Sequence, residues 1–232
     1  MPYCVEFIRH GQCGLVGFVG WNVRNHKFQF LAYLVVIYRQ MRISGGTAKG
    51  RKTAPKRLLS KTSQGDRLRP TSAKVREALF DILRNSIEEA SFADLYAGTG
   101  TVGFEALSRG ARHAVFVEPD GTRFKTIKGS VSALGFQDRS EVIKGEAWDF
   151  LKKSVGRGDK YDIFFLDPPY QSDEIEKVLP IIGEGNLLSE RCVVIVEHFS
   201  KKKLPETAGT LKMEKTYRYG DTMLTFYRKA DA

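Results

Sequence analysis

The sequence predicts an α/β protein built on a doubly wound, mostly parallel sheet, and three observations point there. From residue 71 onward, short apolar runs alternate with amphipathic stretches, the pattern of strands joined by crossover helices. YDIFFLD, residues 161 to 167, is a near-continuous apolar run stopped by two prolines, as expected of a strand buried on both faces. DLYAGTGTVG, residues 94 to 103, contains a complete G-x-G-x-x-G in Gly98, Gly100 and Gly103, a turn that joins a strand to a helix in such sheets. A length of 232 residues suits one domain of this kind with a modest appendage.

The elements follow in order. TSAKVREALFDIL (71 to 83) places Val75, Leu79, Ile82 and Leu83 on one helical face. Thr71 or Ser72 can cap that helix, and Pro70 keeps the chain from being helical earlier. FADLY (92 to 96) reads as a strand, and after the glycine turn a helix is expected from about Val102 to Ser108. HAVFVE (113 to 118) is a second strand, followed by a helix from about Asp120 to Leu134 that ends at Gly135, a good C-cap. SEVIKG (140 to 145) is a third strand, with a helix near Ala147 to Lys153 behind it. After YDIFFLD come a helix from about Asp173 to Ile182, the strand CVVIVEHF, and a final pair of strands around Tyr219-Gly220-Asp221.

Charge is unevenly distributed. The net charge is +10, and residues 42 to 76 hold eleven basic side chains against one acid, Asp66, so the rest of the chain balances. A block with so few neutralising acids favours a polyanionic partner. Lys49, Arg51, Lys52 and Arg69 are the candidate contacts. Cys4, Cys13 and Cys192 form no C-x-x-C, and neither they nor the four His show ligand spacing. No metal site is expected, and a reducing, cytoplasmic setting follows from cysteine usage. The apolar run FQFLAYLVVIY at 28 to 38 is too short to span a bilayer, and no signal-peptide pattern precedes it. Met41 reads as the natural start, with residues 1 to 40 an extension from an upstream start. The expected organisation is therefore 1–40 extension, 41–70 basic segment and 71–232 catalytic domain.

In open α/β sheets ligands bind outside the carboxyl ends of the strands, and four strand ends here carry unusual residues. Asp94 with Gly98, Thr99 and Gly100 lets a ligand approach backbone and free amides. Glu118 at the second strand's tip can accept both hydroxyls of a ribose. An adenosine-containing cofactor fits both, but a pyrophosphate would be repelled by Asp94, whereas the ammonium and sulfonium of S-adenosylmethionine would be attracted. Asp167-Pro168-Pro169-Tyr170 ends the fourth strand. Its prolines remove two donors, leaving the Asp167 carboxylate and the Pro168 carbonyl to accept an exocyclic amino group. Tyr170 offers a face for the base to stack on. Hydride transfer has no use for this arrangement, so the loop reads as holding adenosylmethionine.

These residues make the chain resemble the RsmD-type 16S rRNA (guanine-N2) methyltransferases, members of the class I adenosylmethionine-dependent fold. The resemblance runs from Met41 to Ala232 through RISGGTAKGRK, LRPTSAKVREALFDIL, DLYAGTGTVGFEALSRGA, VFVEPD, DPPY and YRYGDTMLTFY. It implies a seven-stranded, Rossmann-like sheet ending in an antiparallel hairpin. It also implies that Asp94, Gly98, Thr99 and Gly100 line the methionine part of the cofactor, that Glu118 binds the ribose, and that Asp167 to Tyr170 hold the target guanine. Glu146, with Ala147 beside it, stands where relatives commonly carry an Asp that contacts the adenine. Arg69, Pro70 and Thr71 match a segment near the methionine end. The implied substrate is 16S rRNA or the small ribosomal subunit; a monomer is the default expectation, and no membrane partner is expected. The Asp-Pro-Pro-Tyr chemistry is shared with DNA adenine methyltransferases, although the chain has no spare length for a target-recognition domain. A non-catalytic RNA-binding or assembly protein on the same fold is a third possibility, against which the intact Asp167 and glycine loop argue.

Overall fold

The computed structural model describes residues 8–9, 12–13, 41–53, 71–169 and 172–230. The chain divides into two units, Met1–Arg39 and Gln40–Ala232. In the first, Ile8–Arg9 pairs antiparallel with Gln12–Cys13; the apolar run at 28 to 38 lies outside the described residues.

The second unit holds an eight-stranded sheet. Its strands are β1 (Ser91–Asp94), β2 (His113–Val117), β3 (Ser140–Ile143), β4 (Tyr161–Leu166), β5 (Leu188–Phe199), β6 (Thr207–Ala208), β7 (Leu211–Tyr219) and β8 (Thr222–Lys229). The order across the sheet is β3-β2-β1-β4-β5-β8-β7-β6. β1 to β5 pair in parallel and the last three strands antiparallel. The two-residue β6 is the strand beyond the seven expected. Chain order reverses between β1 and β4, which makes their carboxyl ends the switch point where such sheets take ligands.

Among the described residues five α-helices cover the sheet: α1 (Ala73–Ile82), α2 (Thr101–Ser108), α3 (Gly121–Leu134), α4 (Ala147–Arg157) and α5 (Glu174–Glu184). Strand side chains alternate between two cores. Phe92, Ile163, Phe165, Val193 and Ile195 pack with α1, α2 and α3, and Ala93, Phe164, Leu166, Val194 and Val196 with α4 and α5. Both faces are thus apolar, which is why the strands read as unbroken runs.

Most of the expected boundaries hold within a few residues. Ser72 caps α1 by accepting from the Val75 amide at 3.2 Å, and Gly135 ends α3 in the left-handed region at φ 76°. One expectation needs correction. Ile82 is 37% exposed, while Phe80 and Arg76 are buried: the buried stripe of α1 is rotated toward Phe80 because the helix packs on α2 and on residues 41–53 as well as on the sheet. Helix α5 runs through Pro180 as expected and ends at Glu184; the apolar stripe of Ile175, Val178, Leu179 and Ile182, all buried, outweighs the single amide that Pro180 lacks.

Candidate active site

The glycine loop is pinned where β1 ends. The Leu95 amide donates to Phe165 O at 3.0 Å and the Ala97 amide to Val117 O at 3.0 Å, tying the loop to the ends of β4 and β2. Each glycine has its own reason. Gly98 (φ 55°) and Gly100 (φ 75°) sit in the left-handed region that side chains disfavour. A Cβ on Gly103 would come within 2.3 Å of the Phe116 ring, so this glycine lets α2 lie against β2. A Cβ on Gly98 would meet nothing nearer than Tyr96 O at 3.9 Å, which leaves open space at the loop.

Asp94 closes this turn from below. It is buried, and its Oδ2 accepts from the Gly103 amide at 3.2 Å. Burial, reinforced by the Glu118 charge and opposed by that amide, pushes its carboxyl up to about 7. Glu118, also buried, accepts from the Gly98 amide at 2.8 Å, from the Asp120 amide at 2.9 Å and from Arg123 at 3.3 Å. Burial raises its pKa too, against the pull of those three donors. Glu146 stands exposed at the start of α4 with its side chain uncommitted to capping, and Ala147 is buried behind it.

At the end of β4, Asp167 is half-buried, Pro168 buried and Pro169 exposed. Pro168 and Pro169 line a narrow crevice with Ile175, Glu197, Phe199 and Lys202. The Thr71 hydroxyl lies 2.9 Å from Glu197 Oε2 and 3.3 Å from Asp167 Oδ2. Burial, with the charges of Glu197 and Asp94, raises the Asp167 carboxyl well above the ordinary carboxylate range, and the Thr71 hydroxyl acts in the opposite direction. The arrangement therefore sets Asp167 and its two prolines beside a glycine loop with open space and two carboxylates under it. Among the described residues, no group of His, Cys, Asp or Glu could hold a metal ion.

Residues 41–228 match the family described as Conserved hypothetical protein 95. The chain is 36% identical over 180 residues to the ribosomal RNA small subunit methyltransferase D of Haemophilus influenzae, covering 76% of this chain and 89% of that one. It is 30% identical over 190 residues to the protein of the same name in Escherichia coli, covering 82% and 90%. The chain belongs to the RsmD-type rRNA methyltransferase family. A solved structure described as "Putative methyltransferase yhhF from Escherichia coli" superposes on this RsmD-type fold with a TM-score of 0.69 at 28% identity, covering 82% of this chain and 98% of that one.

In this RsmD-type chain the basic segment has a partly internal role. Its described part, residues 41–53, folds back on itself through the Ile43–Arg51, Gly50–Ile43 and Thr53–Met41 backbone bonds and covers α2. Buried Glu105 accepts from the Ser44 and Gly45 amides, the Ser44 hydroxyl and Arg109, and it lies 3.4 Å from Arg76. Gly46 (φ 74°) sits so close to α2 that a Cβ would be 1.7 Å from Ser108 O. The Arg51 guanidinium donates to Leu134 O and Ala133 O at the end of α3, where a cation suits the helix dipole. Arg76 is thus committed inside the protein, where the acid that answers it is on another helix, while Arg51 is exposed with its guanidinium engaged at the end of α3. Lys49 and Lys52 are exposed. Arg69 and Tyr170 lie outside the described residues. So do Lys56, Arg57, Lys61 and Arg67.

Sequence reasoning missed Glu197. The signal was present: a charged residue follows the apolar VVIV at the carboxyl end of a strand, next to the strand that carries Asp167.

Proposed function

We propose that the protein transfers a methyl group from S-adenosylmethionine to the exocyclic N2 of a guanine in 16S rRNA of the small ribosomal subunit. The observation that carries this reading is the pairing, at the switch point, of the glycine loop on β1 with Asp167-Pro168-Pro169 on β4. The residues suit that cofactor: Gly98 opens onto space, Asp94 is an anion for its ammonium and sulfonium, and Glu118 is an acceptor for its ribose hydroxyls. Gly98, Thr99 and Gly100 would line the methionine part, Glu146 and Ala147 would face the adenine, and Thr71 would close the methionine end. When bound, the cofactor supplies a methyl group already activated by its sulfonium for in-line attack by the guanine amino nitrogen.

The protein's own contribution is orientation and charge. The Asp167 carboxylate and the Pro168 carbonyl accept the two amino hydrogens, which fixes the direction of the nitrogen lone pair. Methylation leaves that nitrogen one proton in excess, and Asp167 is placed to take it. Tyr170 stacks on the base, which must leave its helix to reach the crevice, and Lys49, Lys52 and Arg69 hold neighbouring phosphates. The test is transfer of tritiated methyl groups to 16S rRNA, small subunits and DNA, with the modified nucleoside identified by mass spectrometry. N2-methylguanosine in the small-subunit RNA is the expected product. Methyladenine in DNA, or no transfer at all, would refute the reading.

A further inference from the structure

The turn that follows β5 and the hairpin that joins β7 to β8 meet at the carboxyl edge of the sheet, the edge that carries Asp167. The Ser200 amide donates to Asp221 O at 2.8 Å, and the register sets Phe199 opposite Thr222 and Thr222 opposite Tyr219. Opposite residues of antiparallel strands share a face, so Tyr219 lies on the face of Phe199. In the row below, Leu224 stands between Glu197 and Tyr217, and Glu197 is joined to Asp167 through Thr71. Tyr219 is therefore on Asp167's side of the sheet. Three strand spacings separate β4 from β7, about 14 Å. That is too far for a base held by Asp167, and suits the nucleotides beside it.

This rim is basic and braced. Residues 199–203 and 215–221 hold Lys201, Lys202, Lys203, Lys215 and Arg218 against a single acid, Asp221, a cluster that the overall charge balance outside residues 42 to 76 conceals. Lys202 is engaged within the protein, on Ser172 O at 2.7 Å and Glu176 at 3.1 Å. Lys201, Lys203 and Arg218 are exposed. Arg218 Nε donates to Gly220 O at 2.9 Å, which holds the guanidinium at the hairpin tip, and the Lys201 ammonium stays 6.0 Å from the centre of the Phe199 ring. Tyr217 and Tyr219 are half-buried and pack on the core shared with α1, where Tyr217 meets Phe226 edge-on at 5.5 Å. Asp81 of α1 lies near Tyr219.

Exposed cations beside a ring fixed from beneath suit a single-stranded nucleic acid, whose phosphates meet the charges while a base lies on the ring. We propose that this rim is a second RNA contact, in which Lys201, Lys203 and Arg218 hold phosphates of the strand flanking the target guanine and Tyr219 stacks on one of its bases. This rests on the reading of RNA as the substrate. The rim belongs to the antiparallel half of the sheet, whereas Lys49 and Lys52 stand on the segment that covers α2, so the two contacts grip the RNA from different directions.

The test is binding of a fluorescein-labelled single-stranded RNA of about 12 nucleotides to the full chain, followed by anisotropy across salt concentrations. Lys201→Gln, Lys203→Gln and Arg218→Gln together should reduce the salt slope by about 2, at roughly 0.7 per contact. Tyr219→Leu should weaken binding about 5- to 150-fold at every salt concentration and leave the slope alone, while Tyr219→Phe, which keeps the ring, should bind as wild type. Adenosylmethionine affinity should stay unchanged in all of them. Should Tyr219→Leu not fold, the charge variant still decides. The inference is overturned by a wild-type chain that does not bind the oligonucleotide, or by a slope that stays put in the charge variant. An equal change per charge on neutralising Lys212 and Lys229, exposed at the opposite end of β7 and β8, overturns it too. Methyl transfer to small subunits is read separately. Binding through this rim without N2-methylguanosine would uphold the contact and sink the reading of the reaction, whereas methylation by the charge variant at the wild-type KM would sink the contact alone.

Discussion

Glu118, at the end of β2, accepts from the Gly98 amide, the Asp120 amide and Arg123, whereas Asp167, at the end of β4, shares a single Thr71 hydroxyl with Glu197. Both carboxylates sit at strand ends of one sheet, but their surroundings prepare them for different tasks. Three donors, one of them cationic, favour the charged form of Glu118, so it suits a fixed acceptor for hydroxyl groups. Burial and two acidic neighbours, opposed by one shared donor, favour the neutral form of Asp167, so it suits an exchange of protons. Asp94 stands between them, with one amide donor and a carboxyl pushed up to about 7. In all three, burial is the main force raising the pKa, and the donors around the carboxylate act against it.

The most severe way to break the contrast is at Asp167. Asp167→Ala should lower the single-turnover rate about 100- to 1,000-fold, the usual cost of one preorganised partner at a reacting atom, while adenosylmethionine affinity stays near wild type. Asp167→Asn should be milder, since its amide oxygen still accepts. Tyr170→Ala should weaken target capture by about 1–3 kcal/mol through lost stacking. A wild-type rate in Asp167→Ala would remove the motif from the chemistry.

On the other side, Glu118→Ala should weaken adenosylmethionine binding by about 10- to 100-fold, read by calorimetry, because hydrogen bonds to charged groups are worth about 1.5–3 kcal/mol. Its rate at saturating cofactor should change much less. An equal loss in both would mean that the two carboxylates share one role.

Asp94 sharpens the comparison through pH. Its carboxyl, at about 7 in the folded protein, is increasingly protonated as pH falls below that value, and the neutral form no longer attracts a cationic cofactor. Affinity should therefore be highest above pH 7 and fall by up to about tenfold per unit between pH 7 and 5. Asp94→Asn should flatten that dependence. A flat wild-type profile would show that Asp94 stays charged.

Within the basic segment the same logic separates free from engaged cations. Neutralising exposed Lys49 and Lys52 should lessen the salt dependence of RNA binding by about 1.4, at roughly 0.7 per single-strand phosphate contact. Arg51→Ala should instead lower the unfolding free energy by about 1–2 kcal/mol, because it uncaps α3. Equal slope changes for all three would put Arg51 in the RNA interface.

The smallest expected effect is at the start of the chain. A protein beginning at Met41, where the family match begins, should keep its melting temperature and turnover. A drop in either would give residues 1–40 a part in the folded enzyme.

What the sequence by itself determined follows from local rules. The parallel strands β1 to β5 were legible because two-sided burial demands unbroken apolar runs, as in YDIFFLD. Helix ends were legible where a cap is a property of one residue, as at Ser72 and Gly135. The candidate site's outline was legible because strand ends, glycines and a proline pair are local signals, so Asp94, Glu118 and Asp167 could be placed at strand ends in advance. The tertiary structure decided everything that depends on a partner distant in sequence. Glu105 answers Arg76 and Arg109 and also anchors Ser44, 61 residues away; no charge count along the chain can see that. Ile82 lost its place in the core to Phe80 because α1 faces two surfaces at once. Glu197 reaches Asp167 through Thr71, 126 residues before it, and only the sheet order that sets β5 beside β4 brings the three together. Hydrogen bonds and buried charges act over a few ångströms of space, whatever the length of chain between them.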